Sequence, residues 1–390
     1  MNEKIFDIFE KKLEELKGKI LYRSIKDIES TAKMRITFEG KEYLNFASND
    51  YLGLTKHPLV VAAAKEALEI FGVGSGASRL LAGGTVFHRK LEEEICKFKG
   101  AESSLLMNSG YSANVSLIPA LTSEDDIILS DELNHASIID GCRLSRAKKF
   151  IYRHRDIEEI EKILKENDCK GKKVLITDTV FSMDGTLAPL KEIYQLCREY
   201  DVLLYIDDAH GTGVLGQGYG ALRHFGLQSE SFVVQMGTLS KALGSFGAFV
   251  CGKDTIIKWF INSARGFIFS TSLPALLAAS AYASLQIIKE EELLKKLWNN
   301  TEKVKGSVEK LGLKTTETET PIIPLLFESI EEAQRASEIL KSFQIFAPII
   351  RPPTVKTPRI RISVSAGHTE EDINRLLEAL IRLYQQLRPT

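Results

Sequence analysis

Phe232-Val233-Val234-Gln235-Met236-Gly237-Thr238-Leu239-Ser240-Lys241-Ala242-Leu243-Gly244 reads as a buried strand that runs into a loop of small and hydroxylated residues. The five apolar and amide residues at its start suit a strand covered on both faces. Lys241 then lies just past the strand end, where an amine can face a cleft rather than bulk water. Upstream, Val202-Leu203-Leu204-Tyr205-Ile206 is a second strand-like run, ending in Asp207-Asp208-Ala209-His210-Gly211. Two strands of one sheet would thus deliver an amine, a carboxylate and an imidazole to the same edge.

Outward from this pair the pattern is regular. Helices are predicted over 86–98, 112–121, 136–145, 157–165 and 190–200, and strands over 103–107, 127–129, 150–152, 174–177 and the run carrying Asp207. Such alternation means βα units and a mainly parallel sheet, in which ligands bind beyond the carboxyl ends of the strands. The polar clusters Asn108–Tyr111, Asp131–His135, Ser182–Gly185, Asp207–His210 and Thr238–Lys241 all fall at those ends. After Lys241, Gly247-Ala248-Phe249-Val250-Cys251 reads as a strand that pairs back. Phe267 to Pro274 is expected to open a long helix reaching about residue 288. Charge density rises at Lys289-Glu290-Glu291-Glu292, which predicts a boundary near 288. The expected organisation is an amphipathic helical arm and hairpin over 1–45, a large α/β domain over 46–288 and a small α+β domain over 289–390.

A lysine, an aspartate and a histidine at neighbouring strand ends suit a cofactor held as a Schiff base, with an acid on its ring nitrogen: pyridoxal phosphate. A carboxylate at Asp207 would raise the pyridine pKa and keep that nitrogen protonated. A desolvated Lys241 amine would be neutral and nucleophilic. Asn108-Ser109-Gly110-Tyr111 opens a helix, and unpaired amides at a helix start bind phosphate; a simple helix cap is the alternative. Thr238 and Ser240 offer hydroxyls for the same phosphate. His135 fits either a core histidine or a ring stacked flat on an aromatic cofactor. Ser182 and His210 suit hydrogen bonds to a phenolic oxygen. Arg359 and Arg361 alternate on one strand face, and a guanidinium there could anchor a substrate carboxylate.

Other classes are disfavoured. With 51 basic and 52 acidic residues and a net charge of −1, the chain shows no basic footprint for nucleic acid. The composition, 44% hydrophobic and 26% charged, is ordinary globular. Five cysteines without a CxxC pair argue against a disulfide framework or zinc site, and for reduced thiols in a cytoplasmic protein. No apolar run reaches the ~18 residues of a membrane helix. Gly72-Val73-Gly74-Ser75-Gly76 follows a helix rather than a strand, so a loop near the cleft fits it better than a dinucleotide fingerprint.

Taken in order, Ser48-Asn49-Asp50-Tyr51-Leu52-Gly53, the segment 74–84, Asn134-His135-Ala136-Ser137, Phe181-Ser182-Met183-Asp184-Gly185, Asp207-Asp208-Ala209-His210-Gly211-Thr212-Gly213 and Gly237-Thr238-Leu239-Ser240-Lys241 resemble the α-oxoamine synthases, a group of fold-type I pyridoxal-phosphate enzymes. The resemblance runs from about residue 20 to the end. It implies an aspartate aminotransferase-like α/β fold, with a mainly parallel sheet in a large domain and a small α+β C-terminal domain. It implies a decarboxylative condensation of an amino acid with an acyl thioester. The stretch 207–216 and Arg351-Pro352-Pro353-Thr354-Val355 are most similar to the branch that joins L-alanine to a pimeloyl thioester, on coenzyme A or a carrier protein. The branch joining glycine to an acetyl thioester is the alternative. By resemblance, Lys241, His135 and Asp207 are catalytic. Ser109, Gly110, Tyr111, His135, Ser182, Asp207, His210, Thr238 and Lys241 hold the cofactor, and Ser270 and Thr271 reach the phosphate of the neighbouring subunit in a homodimer. Arg23, Asn49, Thr354 and Arg361 bind substrate. Between Thr354 and Arg359 the chain is shorter than the family pattern, so Arg359 and Arg361 both stand as carboxylate anchors.

Overall fold

The apolar runs expected as strands do form one sheet in the computed structural model, which describes residues 4–387. Residues 1–3 of the arm and 388–390 of the C-terminal segment lie outside the described residues. The seven strands stand in the order Ser103–Met107, Ala248–Gly252, Val233–Thr238, Val202–Asp207, Lys173–Asp178, Ile127–Asp131 and Lys148–Tyr152. Ala248–Gly252 is antiparallel to both its neighbours, and the other pairings are parallel. This is the strand expected to pair back. Period-two alternation feeds two cores at once. Leu129, Leu175, Leu204 and Ile206 enter the apolar cluster on one face, while Ile128, Val174, Ile176 and Tyr205 enter the cluster on the other.

A third cluster joins distant parts of the chain. Leu44 and Phe46 pack with Val304, Ile323, Ile360, Ile362, Ile373 and Leu380. The hairpin Arg35–Phe38 and Lys41–Asn45 turns at Glu39 and Gly40, both with positive φ. Its second strand pairs in parallel with Ile345–Phe346. The C-terminal segment also folds Ile322–Leu326, Arg359–Ser363 and Ile349–Ile350 into an antiparallel sheet. Backbone bonds from Ser363 N–H to the Phe46 carbonyl and from Ala366 N–H to the Tyr51 carbonyl bring residues 46–51 against the arginine strand.

One expected helix starts later than the sequence suggests. Its first residue is Ala275, capped by Pro274, and it runs to Ile288. Proline lacks the N–H that a helix interior needs and suits a helix start, so residues 270–274 stay non-helical and carry Ser270 and Thr271. Two shorter helices, Asp254–Ser263 and Arg265–Ile268, fill the space before them. The helix Lys4–Gly18 leaves Phe6, Phe9, Leu13 and Leu16 exposed. No helix among the described residues is long and apolar enough to cross a membrane.

Candidate active site

Asp207 is the last residue of its strand and is buried. Its Oδ2 accepts from Asn114 Nδ2 at 2.7 Å, and its Oδ1 accepts from the Ala209 N–H at 3.0 Å. Asn114 sits on the buried face of helix Gly110–Leu121, donates also to Ser137 Oγ at 2.9 Å, and accepts from Tyr205 Oη at 2.8 Å. Burial pushes the Asp207 carboxyl up from its usual pKa, while Lys241 and the Asn114 hydrogen bond pull it back. Asp208 turns the opposite way, into a buried ion pair with Lys99 at 2.7 Å that Thr179 and Thr212 complete. Successive residues of an extended segment face opposite sides, so one carboxylate anchors the strand end and the other faces the cleft.

Lys241 is half-buried, and its Nζ makes no hydrogen bond or ion pair with any described residue. Burial lowers its pKa; Asp207 and Asp178 oppose that shift and Arg361 adds to it. Asp178 pairs in register with Asp207 across two parallel strands. It is buried, accepts from the His135 N–H at 2.6 Å, and has a pKa raised well above normal by burial and by Asp207. His135 caps helix Ala136–Leu144, and its Nδ1 meets Ser137 Oγ at 2.7 Å. One side of this residue remains open to solvent, yet its surroundings are close enough that burial lowers its pKa.

A second chain of contacts ties the cleft to the C-terminal segment. His210 Nδ1 meets Tyr51 Oη at 2.7 Å, between residues 159 apart in sequence. Burial lowers His210 well below its usual pKa and pushes the Tyr51 phenol up to about 12. Arg361 Nη2 donates to Asn49 Oδ1 at 2.7 Å, and its Nη1 donates to the Ser182 carbonyl at 3.0 Å. Arg359 is otherwise engaged: it pairs with Asp184 at 2.7 Å and donates to the Met183 carbonyl at 2.9 Å. Of the two rival arginines, Arg361 is the one whose charge acts on Lys241 and His210.

At the start of helix Gly110–Leu121, Ser109 caps the Ser112 N–H at 3.1 Å in a capping box. The amides of Gly110 and Tyr111 find no acceptor among the described residues. A Cβ on Gly110 would lie 4.0 Å from Thr238 Cβ, so the helix start stands over the strand end that leads to Lys241. Thr238 Oγ1 meets Ser240 Oγ at 2.7 Å. The Tyr111 ring is exposed and hydrogen-bonds Asp140, which leaves its backbone amide as the group at the helix start. Ser270 and Thr271 lie on the non-helical stretch before Ala275, where the Thr271 carbonyl accepts from Asn108 Nδ2 at 2.7 Å in the same chain. Arg23 and Thr354, 331 residues apart, meet at 2.9 Å on the rim of another cavity.

A model of the aminotransferase class I and II family matches residues 41–380. The chain belongs to that family. Its relatives place this aminotransferase-family chain in the α-oxoamine synthase branch. It is 66% identical over 384 residues to a Thermodesulfovibrio yellowstonii protein provisionally assigned as an 8-amino-7-oxononanoate synthase, covering 98% of this chain and 99% of the relative. It is 44% identical to the 8-amino-7-oxononanoate synthase of Thermosipho melanesiensis, covering 98% of each. Among solved structures, the serine palmitoyltransferase of S. paucimobilis, with a PLP–myriocin aldimine bound, aligns with a TM-score of 0.92 at 28% identity over 99% of both chains. This α-oxoamine synthase is therefore a pyridoxal-phosphate-dependent acyltransferase with the aminotransferase-like fold.

The residues present fit that cofactor. Two orphan amides stand at the helix start beside Thr238, where a phosphate would need donors; the Thr238 hydroxyl, expected to serve that phosphate, instead donates to the Gly247 carbonyl at 2.9 Å and leaves the Ser240 hydroxyl as the candidate donor. Lys241 offers an unpaired amine, and Asp207 a buried carboxylate already held in place. Sequence reading missed three contributors. Tyr51 lay inside a recognised motif, but its partner His210 is a tertiary neighbour. Asn114 was visible as a lone amide in the apolar run Gly110-Tyr111-Ser112-Ala113-Asn114-Val115. Asp178 ends its strand as Asp207 does, and that parallel was the available signal.

Proposed function

We propose that the protein condenses L-alanine with a pimeloyl thioester to give 8-amino-7-oxononanoate, carbon dioxide and free thiol, a step of biotin biosynthesis. The relatives' names favour this substrate pair. The observation that carries the reading is the unpaired Lys241 amine at the strand end, its pKa lowered by burial, within electrostatic reach of the buried Asp207 carboxylate and the Arg361 guanidinium.

The bound cofactor supplies an electron sink for the charge that develops at the amino-acid Cα. Arg361, aimed by Asn49 and the Ser182 carbonyl, receives the alanine carboxylate. Lys241 Nζ takes the Cα proton, and burial, which lowers its pKa, shifts it towards the uncharged form that a base needs. Asp207, with Asn114 and Ala209 N–H on its oxygens, keeps a negative charge beneath the site. His135 offers its open side as a stacking surface, with Ser137 and Asp178 fixing its side chain and backbone. His210, held by Tyr51, and Ser182 suit a phenolic oxygen. The alanine Cα then bonds to the acyl carbonyl carbon, the C–S bond breaks, and the sulfur leaves as a thiolate that takes its proton from water. The Cα–carboxylate bond breaks to release carbon dioxide, and the carbon regains a proton from the Lys241 ammonium.

The reading includes a homodimer. Phe246, five residues past Lys241, is 52% exposed, and Phe269, beside Ser270, is 71% exposed. Two large exposed aromatics near a site suit burial against a second copy, where Ser270 and Thr271 would serve the partner's phosphate. The free cysteines suit a cytoplasmic location.

The test is a product assay on purified holoenzyme with alanine, glycine and serine against pimeloyl, acetyl and palmitoyl thioesters. Formation of 8-amino-7-oxononanoate at the highest kcat/KM is expected. Preference for glycine with acetyl thioester would overturn the assignment. Lys241→Ala should abolish turnover, and retained activity would remove Lys241 from its role.

A further inference from the structure

Asp208 carries a buried carboxylate that the mechanism leaves unused, and four donors saturate it. Its Oδ2 accepts from Lys99 Nζ at 2.7 Å and from Thr212 Oγ1 at 2.9 Å, and its Oδ1 accepts from Thr179 Oγ1 at 2.7 Å and from the Ala221 N–H at 3.2 Å. Lys99, the last residue of helix Val86–Lys99, also donates to the Tyr219 carbonyl at 2.9 Å and stands 5.8 Å from the centre of the Phe249 ring. Both side chains are 1% exposed. The backbone around them leaves no slack. A Cβ on Gly211 would stand 2.1 Å from Asp208 Oδ1, and one on Gly220 would stand 2.1 Å from Oδ2 and 2.4 Å from Lys99 Nζ.

A buried ion pair adds little net stability over apolar residues of the same volume, so stability alone does not account for this one. A fully satisfied buried network does hold its members rigidly, and this one reaches the cleft by three routes. Asp208 directly follows Asp207, and its N–H donates to the Met236 carbonyl at 2.7 Å, on the strand that leads to Thr238 and Lys241. Its carbonyl accepts from the Gly211 and Thr212 N–H groups at 3.1 and 2.8 Å, which closes the turn that carries His210. Thr212 in turn leads to Gly213, which stands close against Ala242, the neighbour of Lys241.

We propose that the Lys99–Asp208 pair positions the cofactor-facing side chains, holding Asp207 and His210 in one geometry from the side of the strand end that faces away from the cleft. Lys99 and Asp208 are positioning residues, acting through their neighbours. The proposal rests on the roles given to Asp207 and His210 in the reading above. It also accounts for the second of the two adjacent aspartates: the single oxygen of an amide in its place could not accept from four donors.

The test compares holoenzyme carrying Lys99→Met with the double variant Lys99→Met/Asp208→Asn, which leaves no bare charge and so guards against misfolding. Visible circular dichroism reads the seating of the cofactor, because pyridoxal phosphate is achiral and gains that band only from fixed asymmetric surroundings. In both variants the band should lose most of its intensity, and kcat with alanine and pimeloyl-CoA should fall by about 10- to 100-fold, the scale of a ~1 Å misplacement. KM for alanine should move at most a few-fold, since Asn49 and the Ser182 carbonyl hold Arg361 outside this network. Thr179→Val removes one donor, leaves the ion pair in place, and should weaken the band and kcat a few-fold. Variants that lose stability to urea yet keep the wild-type band and kcat would make the pair a core support alone and overturn the proposal. If alanine and pimeloyl thioester give no product with the wild-type protein, the reaction assignment falls. The cofactor band and the affinity of the apoenzyme for pyridoxal phosphate then still decide the positioning role: both weakened in the variants supports it, and both unchanged refutes it.

Discussion

At the residue scale, the site is a set of side chains whose charges are set by burial and by their partners. The proposed function asks Asp207 for a negative charge in a buried position, and the hydrogen bond from Asn114 offsets part of the cost of burying it. Asp207→Asn keeps the shape, because the new amide oxygen can still accept from Asn114 or from the Ala209 N–H. It removes the charge. Exchange of the alanine Cα proton, followed by NMR in deuterium oxide, should fall by about 10²- to 10³-fold, the loss typical of one preorganised electrostatic group. An unchanged exchange rate would deny Asp207 its function. Lys241, Asp207 and His210 were legible in the sequence because each sits at a strand end beside a short run of glycine and small residues. The choice between Arg359 and Arg361 was not legible. Both alternate onto the same strand face, and only the competing partner Asp184 separates them.

At the element scale, the Lys241 loop depends on a neighbouring turn. Gly213 has φ of 81°, and a Cβ placed there would stand 2.5 Å from Ala242 Cβ. Gly213→Ala therefore combines a left-handed backbone with a steric overlap. It should cost about 2–5 kcal/mol, read as a lowered urea midpoint with unchanged m-value. Adding Ala242→Gly should recover the contact part of the loss and leave the backbone part. No recovery would mean that the overlap is relieved elsewhere. The sequence marked this region as a motif, but a run such as Gly211-Thr212-Gly213 does not say which glycine is obligatory. That depends on the element packed opposite. The late start of helix Ala275–Ile288 has a local cause in Pro274, and the proline was in plain view.

At the scale of the whole molecule, two buried histidines link stability to pH. His88 is lowered to about 4 by burial and by Arg79, and its ring lies between Thr85 and the Leu273 carbonyl. His368 is lowered to about 4 by burial and stacks on Phe46 at 4.0 Å. Both are held neutral in the fold, whereas the unfolded chain takes up protons near pH 6.5. Their stabilisation is complete above about 6.5 and is lost as pH falls from there towards 4, on the order of 3 kcal/mol for each. The urea midpoint should drop across that window, and His368→Gln should flatten part of the slope. A midpoint independent of pH between 6.5 and 4 would refute the assignment. The two histidines tie residues 85–88 to 273, and 45–46 to 368, so their protonation loosens contacts between distant segments.

The sequence by itself determined the alternating strands and helices, the strand ends that bear polar clusters, and the chemistry of a lysine facing an aspartate. Those features follow from local periodicity and from the side-chain types at the ends of apolar runs. Tertiary structure decided what depends on contacts between remote residues: Tyr51 on His210, Asn114 beneath Asp207, Asp178 against Asp207, and Arg359 spent on Asp184. It also decided that residues 22–26 and 334–354 enclose one cationic cavity. No periodicity in the chain encodes such pairs, because burial and partner choice arise only when separate elements pack and the dielectric around each charge is set.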